Sequence, residues 1–371
     1  MKKIVILTDQ ICKIGGITSL IYLKANYWVT QDQHEVHVIT TEQEGKKPYY
    51  PMNSEVQLHD LDINYHRYSS YFSPKNLIKI LKNLFRLQSK LRKIKPDIII
   101  VANHIPVTFF FPLLITKAKI LKEFHFSKFY LSKRKKTLFR RFESYLESKF
   151  DFLVVLNPEE RAFYQYNNVV TISNPIRVNT DIVPVYTDRK KIAMAAGRIS
   201  GVKRFDVLID IWAQFIEKRK DWKLEIYGDG EKEDVDFLKQ KIKTLKLSDH
   251  VEIKGSTNTI EEKMASYGLY LMTSVAECFP MVLLEAQSCG LPIISYDCPT
   301  GPRNIITHNH NGVLVEMDNQ ELFVEELIDM TTNESRRIQL AKNGFVNAKK
   351  YTLDAIMTIW DKEIINKKEI R

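Results

Sequence analysis

Short apolar runs alternate with helical patterns along the whole chain, and this alternation constrains the fold more than any single motif. Residues 4–8, 34–40, 97–102, 120–126 and 152–156 read as buried strands, with helical patterns between most of them. The same rhythm resumes at 192–196, 223–227, 251–255, 270–274 and 291–296. Strands separated by helices favour a doubly wound parallel sheet that binds ligands at strand carboxyl ends. A chain of 371 residues is long enough for two ordinary domains. The polar stretch 173–191 holds two prolines and reads as the linker. We therefore expect domains at 1–178 and 188–352, with a final helix at about 353–371 that packs back on the first.

The composition narrows the class. With 44% hydrophobic and 27% charged residues, the chain is globular. Four scattered cysteines without paired spacing argue against a disulfide framework or a zinc site, and fit a reducing, cytoplasmic setting. The opening MKKIVILTD has too short an apolar run for a signal peptide and reads as a first strand. The run FFFPLLI at 109–115 is likewise too short to span a bilayer.

The net charge of +10 is unevenly placed. Residues 1–180 carry 28 Lys and Arg against 15 Asp and Glu, whereas residues 181–371 carry 27 against 30. A basic half can meet nucleic acid, an anionic membrane surface or an anionic substrate. The pattern at 75–95 is an amphipathic helix whose apolar positions are Leu77, Ile78, Leu81, Leu84, Phe85 and Leu91 and whose other face is cationic. Residues 128–149 repeat the theme, with Lys133, Arg134, Lys135 and Lys136 in a row among aromatics. Two such faces in one half favour membrane-surface contact over solvated helices, with those four cations as the contact.

The stretch 277–290 reads ECFPMVLLEAQSCG and points to chemistry. An apolar run precedes it. Pro280 suits the first turn of a helix, and Gly290 suits a left-handed cap. Glu277 then sits at the carboxyl end of a strand, and Glu285 sits about a turn into the next helix. That helix start attracts phosphate, while the two carboxylates can accept hydrogen bonds from sugar hydroxyls. Spacing alone does not separate such a site from two solvated glutamates. Elsewhere, Lys13–Thr18 holds two glycines before a helix but lacks the GxGxxG spacing, so a turn without ligand fits it equally well.

The surrounding residues decide between these readings. Glu277-Cys278-Phe279-Pro280, Leu284-Glu285-Ala286 and Gly290-Leu291-Pro292 together resemble the donor-site signature of family-four retaining glycosyltransferases of the GT-B fold. The resemblance implies two Rossmann-like α/β domains facing a central cleft, with a nucleotide-sugar in the second and the acceptor in the first. It implies that Glu277 holds sugar hydroxyls and supports an oxocarbenium-like state, and that Glu285 takes the ribose hydroxyls. Phe279, Pro280, Met281 and Val282 would line the same donor site. In GRISGVKRF, Arg198 and Lys203 match the pair that holds the diphosphate in that family. Gly16 matches a diphosphate contact, and Lys254 lies where the nucleotide base is received. His125 matches a histidine that touches the transferred sugar, with His104 as the competing candidate. Where the family often has glutamate, this chain has Asn304.

The resemblance further implies a retaining hexosyl transfer to a glycan or lipid-linked acceptor in bacterial surface-polysaccharide synthesis. The donor would be a UDP-linked galactose, glucose or N-acetylhexosamine, with GDP-mannose the other possibility. It implies no cofactor and no metal, the cations replacing one. Asp60-Leu61-Asp62 mimics a metal-binding DxD but has no matching context. With a lipid-linked acceptor, the enzyme is expected to be cytoplasmic and peripheral at the inner face of the plasma membrane. The rival reading is a non-catalytic basic peripheral protein that binds anionic lipid or nucleic acid. No nucleic-acid motif supports it.

Overall fold

The apolar runs form two separate parallel sheets. The structure is a computed structural model that describes residues 1–129, 137–177 and 184–367. It divides into two compact units, Met1–Pro175 with Ile356–Arg371, and Ile176–Ala355. The first unit holds seven strands: β1 (Lys3–Leu7), β2 (Glu35–Thr40), β3 (Gln57–Asp60), β4 (Ile98–Val101), β5 (Lys119–Glu123), β6 (Phe152–Val155) and β7 (Val169–Thr171). Their order is β3-β2-β1-β4-β5-β6-β7, and every pairing is parallel. The second unit holds β8 (Lys190–Ala196), β9 (Lys223–Tyr227), β10 (Val251–Gly255), β11 (Tyr267–Met272), β12 (Ile293–Tyr296) and β13 (Val313–Val315). Their order is β10-β9-β8-β11-β12-β13, again all parallel. In both sheets the strand order reverses beside the first strand of the unit, the switch point where doubly wound sheets bind ligands. This is the two-domain GT-B α/β fold that the sequence led us to expect.

Central strands are buried on both faces because helices cover both, as in Ile4, Val5 and Ile6 of β1 and Leu269, Tyr270 and Leu271 of β11. Sequence reading missed β3, β7 and β13. Gln57–Asp60 is a polar, largely exposed edge strand, and Val169–Thr171 is only three residues long. Five helices matter below: α1 (Gly16–Thr30), α2 (Pro74–Ile94), α3 (Leu138–Glu147), α4 (Phe205–Ile216) and α5 (Met281–Ser288). At the chain's end a helix, Leu353–Trp360, passes into a π-helical turn, and Trp360 packs edge-on against buried Trp28 at 5.8 Å.

Helix α2 differs from expectation in its orientation. It buries Asn76, Asn83, Leu87, Leu91 and Ile94, while Leu77, Ile78, Leu81 and Phe85 are exposed. The two asparagines explain the turn of the helix. Asn76 accepts from the His66 amide at 3.0 Å and donates to the carbonyls of His66 and Ser70, at 3.2 and 3.0 Å. The Asn83 amide donates to the buried Tyr65 hydroxyl at 3.0 Å. Hydrogen bonds that hold the 65–73 loop thus draw a polar stripe inward and turn half of the apolar surface outward.

Candidate active site

Glycines bring two strand-end loops of the second unit together. β8 runs into Gly197 (φ 149°) and β9 into Gly228 (φ 142°), backbone that L side chains rarely adopt. A Cβ on Gly228 would stand 1.9 Å from the Gly197 carbonyl oxygen. Only glycine permits this approach. The Gly197 amide donates to Tyr227 O at 3.0 Å, and the Ile199 amide to Asp229 O at 2.8 Å.

The loop 198–204 is then clasped from the other side. The Thr273 hydroxyl, at the exit of β11, donates to the carbonyls of Lys203 and Arg204 at 3.1 and 3.0 Å. The Val275 amide donates to Val202 O at 3.0 Å. Arg204 takes a left-handed conformation (φ 49°) immediately before α4, and its side chain pairs with Asp318.

This clasp delivers Lys203 to Glu277. Its ammonium lies 2.6 Å from Glu277 Oε1, across 74 residues of sequence. A Cβ on Gly197 would meet the Lys203 shaft at 2.8 Å, so the second reason for glycine there is room for the lysine. Glu277 is itself fixed from behind: its carbonyl accepts from the Thr300 hydroxyl at 2.9 Å, and Gly301 packs on its Cβ. Arg198 is not brought to this pair. It is 74% exposed and bonds Glu231 at 3.1 Å.

After Glu277, Phe279 and Pro280 are buried, and the Phe279 ring rests 5.7 Å from Tyr351. Met281 and Val282 open α5 half-buried, and Gly290 caps its far side at φ 63°. Glu285 is half-buried on the same helix, and its carboxylate has no hydrogen-bond or ion-pair partner among the described residues. Burial, then the nearby Glu261 charge, push it up to about 7. Near these groups lies Tyr270, which sequence reading passed over as strand filling. Its hydroxyl accepts from the Ala196 amide and donates to the Ala196 carbonyl, both at 3.1 Å. Burial raises its pKa first, and the charges of Glu277 and Glu285 raise it further. Both carboxylates therefore act on one buried phenol at the end of β8.

The remaining positions in this unit are less central. Lys254 is exposed on edge strand β10 and pairs with Glu252 at 3.0 Å. Asn304 donates to Thr300 O at 2.8 Å and so braces the loop behind Glu277, while Arg303 grips Asp297 through two 2.8 Å bonds.

In the first unit, Gly16 opens α1 with empty space where a side chain would be. His125 is nearly buried, with Nε2 3.3 Å from Glu123 Oε2 and Nδ1 without a partner. Glu123 also pairs with buried Lys24, whose ammonium lies 4.7 Å from the Trp360 ring centroid. Burial alone would raise Glu123, but Lys24 and His125 hold it down to about 2. His104, the competing candidate, is exposed and packs edge-on against Phe109. The cations Lys133, Arg134, Lys135 and Lys136 lie outside the described residues. Asp60 of the DxD-like run accepts from Thr40 on the neighbouring strand at 3.1 Å. One trio among the described residues, Asp32, His34 and Asp361, offers ligand-type atoms within 4.8 Å of one another.

Comparison with known proteins gives a consistent result. Two family models match the chain back to back: Glycosyltransferase Family 4 over residues 14–179 and Glycosyl transferases group 1 over residues 181–346. The amylovoran biosynthesis glycosyltransferase AmsD of Erwinia amylovora is 28% identical, over 99% of this chain and 100% of its own. Staphylococcus aureus TarM, crystallised with fondaparinux, alpha-GlcNAc-glycerol and UDP, superposes with a TM-score of 0.76 at 18% identity, covering 98% of this chain and 99% of that one. The lipopolysaccharide outer core galactosyltransferase WaaB superposes with a TM-score of 0.73 at 20% identity, over 99% of this chain and all of that one.

Proposed function

This chain belongs to the glycosyltransferases whose two halves are the family 4 and group 1 models, and we propose that it moves a hexosyl group, with retention, from a UDP-sugar to a glycan or lipid-linked acceptor in bacterial surface-polysaccharide synthesis. The observation that carries the reading is the Lys203–Glu277 contact at the glycine-lined ends of β8 and β9. An ammonium stabilises charge on a departing diphosphate, and a carboxylate 2.6 Å away holds sugar hydroxyls and supports positive charge at the anomeric carbon. Before the donor binds, each ion neutralises the other. The donor would part them, the diphosphate taking Lys203 and the sugar taking Glu277. Arg198, on the exposed side of the same loop, adds a second cation by exchanging Glu231 for phosphate. Glu285, without a partner of its own, is free to accept from the ribose hydroxyls.

The sugar nucleotide in this reading is UDP-linked galactose, glucose or N-acetylhexosamine, and the similarity to TarM, crystallised with UDP, and to the galactosyltransferase WaaB supports it. The cations replace a metal in this scheme, so EDTA should leave transfer intact. The test is a screen of nucleotide-sugars for thermal stabilisation and slow donor hydrolysis, with the anomeric configuration of the released or transferred sugar read by NMR. A UDP-sugar that stabilises and yields a product of unchanged configuration is expected. Stabilisation by GDP-mannose alone, or inversion, would each overturn its part of the reading.

A further inference from the structure

Helix α2 divides its surface into three sectors rather than two. At about 100° per residue, Leu77, Leu81, Phe85 and Ile78 fall within roughly a quarter to a third of the circumference. All four are exposed, Ile78 by 76% and Phe85 by 71%. Beside them, over about the next quarter, come Lys82, Lys75, Lys93, Arg86, Lys79 and Lys90. Of these, Lys79, Lys82 and Arg86 bond backbone carbonyls of residues 61–64 and Lys90 meets His59, while Lys75 and Lys93 have no partner among the described residues. The remaining sector carries Asn76, Asn83, Leu87, Leu91 and Ile94, all buried. No aspartate or glutamate occurs anywhere in Pro74–Ile94. The apolar sector also has a neighbour: Gln88 exchanges two hydrogen bonds, of 2.7 and 3.0 Å, with the backbone of Ile115, whose side chain is itself exposed. At the other end, exposed Phe72 meets Phe139 of α3 at 5.6 Å.

We propose that α2 is a membrane-docking element that lies along the headgroup–acyl boundary of an anionic bilayer, with Leu77, Ile78, Leu81 and Phe85 inserted and Lys75, Arg92 and Lys93 on lipid phosphates. Charge decides for lipid over a second copy of this chain. A copy would set one all-cationic sector against another, whereas an anionic surface is complementary to it. The exposed apolar sector separates this from purely electrostatic contact. Each basic side chain adds attraction only near the surface, while buried apolar area resists salt. The proposal stands on this helix alone and does not require the sugar-transfer reading, because its test needs neither donor nor acceptor.

The experiment uses the full chain with vesicles of phosphatidylglycerol and phosphatidylethanolamine, and with phosphatidylcholine vesicles as the neutral comparison. In the variant Leu81→Trp, emission should shift to the blue on adding anionic vesicles and stay unchanged with neutral ones. Leu77→Ser, Ile78→Ser, Leu81→Ser and Phe85→Ser together should weaken vesicle binding by about tenfold or more. The melting curve should be preserved, because these side chains are exposed. The triple variant Lys75→Gln, Arg92→Gln, Lys93→Gln removes cations that have no partner among the described residues, and should flatten the salt dependence of binding. Several outcomes would overturn the proposal: a fourfold serine variant that binds as tightly as wild type, an unshifted tryptophan in vesicle-bound protein, capture by heparin without vesicle binding, or a dimer that the serine variant dissolves without lipid.

Discussion

Glu277 and Lys203 are paired so closely that neither can be altered without exposing the other. Glu277→Gln keeps the shape but leaves the Lys203 ammonium without its partner ion in a mostly buried site. We expect the fold to survive and transfer to fall by about 10²-fold or more, measured as initial rate at saturating donor. A rate within a few fold of wild type would remove Glu277 from the mechanism. Glu285 carries a sharper signature. Its folded pKa, raised to about 7, lies above the usual carboxylate range, so its proton is bound more tightly in the folded state. Its contribution to stability is therefore full below about pH 4.5 and is lost as pH rises toward 7. Glu285→Gln should stabilise the protein at pH 8 by on the order of 1–3 kcal/mol and have little effect near pH 4. Affinity for the nucleoside, which has no phosphate to titrate, should run the other way: it falls below pH 7 in wild type, as the acceptor is protonated, and stays flat in Glu285→Gln. Calorimetry across that range checks both signs. Of these groups, the glutamates and the lysine were legible because charged residues at strand exits stand out against apolar runs. Tyr270 was not, because a tyrosine inside an apolar strand is indistinguishable from core until its hydroxyl partner is known.

At the scale of elements, the site depends on backbone that has no room for side chains. Gly228→Ala places a methyl on the Gly197 carbonyl and forces a left-handed conformation on alanine. We expect a loss on the order of 3 kcal/mol or more, seen as a lowered melting temperature, together with loss of donor binding. A variant that melts as wild type would mean that the two loops separate at no cost. These glycines were readable as loop residues, but their contact was not, since it joins positions 197 and 228 through sheet order. The same limit explains α2. Its length and amphipathicity were plain from periodicity, yet which half of its apolar arc faced the core was set by Asn76 and Asn83. Polar residues that are buried by distant hydrogen bonds carry no periodic signal.

The sheet alternation and the two-domain plan were legible throughout, because parallel strands buried on both faces leave continuous apolar runs. What escaped was the interior polarity of the first unit. Lys24 and Glu123 form a buried pair, 4% and 2% exposed, that joins α1 to β5. Lys24→Ala would strand a buried carboxylate and should destabilise by roughly 3–5 kcal/mol in chemical denaturation. A loss below about 1 kcal/mol would mean that the Glu123 carboxyl takes up a proton at little cost when its lysine is gone.

The placement of the thiols makes the molecule its own stopwatch. Cys12 is partly exposed, while Cys278, Cys289 and Cys298 are all buried in the second unit. Burial pushes Cys289 up to about 11 and Cys298 up to about 12, so both remain thiols at neutral pH. An alkylating reagent at pH 8 should therefore consume one equivalent promptly. Each later equivalent, counted by mass spectrometry, would mark the moment at which the second unit of the chain opens. The rate of that second phase, with and without ligand, gives the lifetime of one half of the molecule without any introduced label.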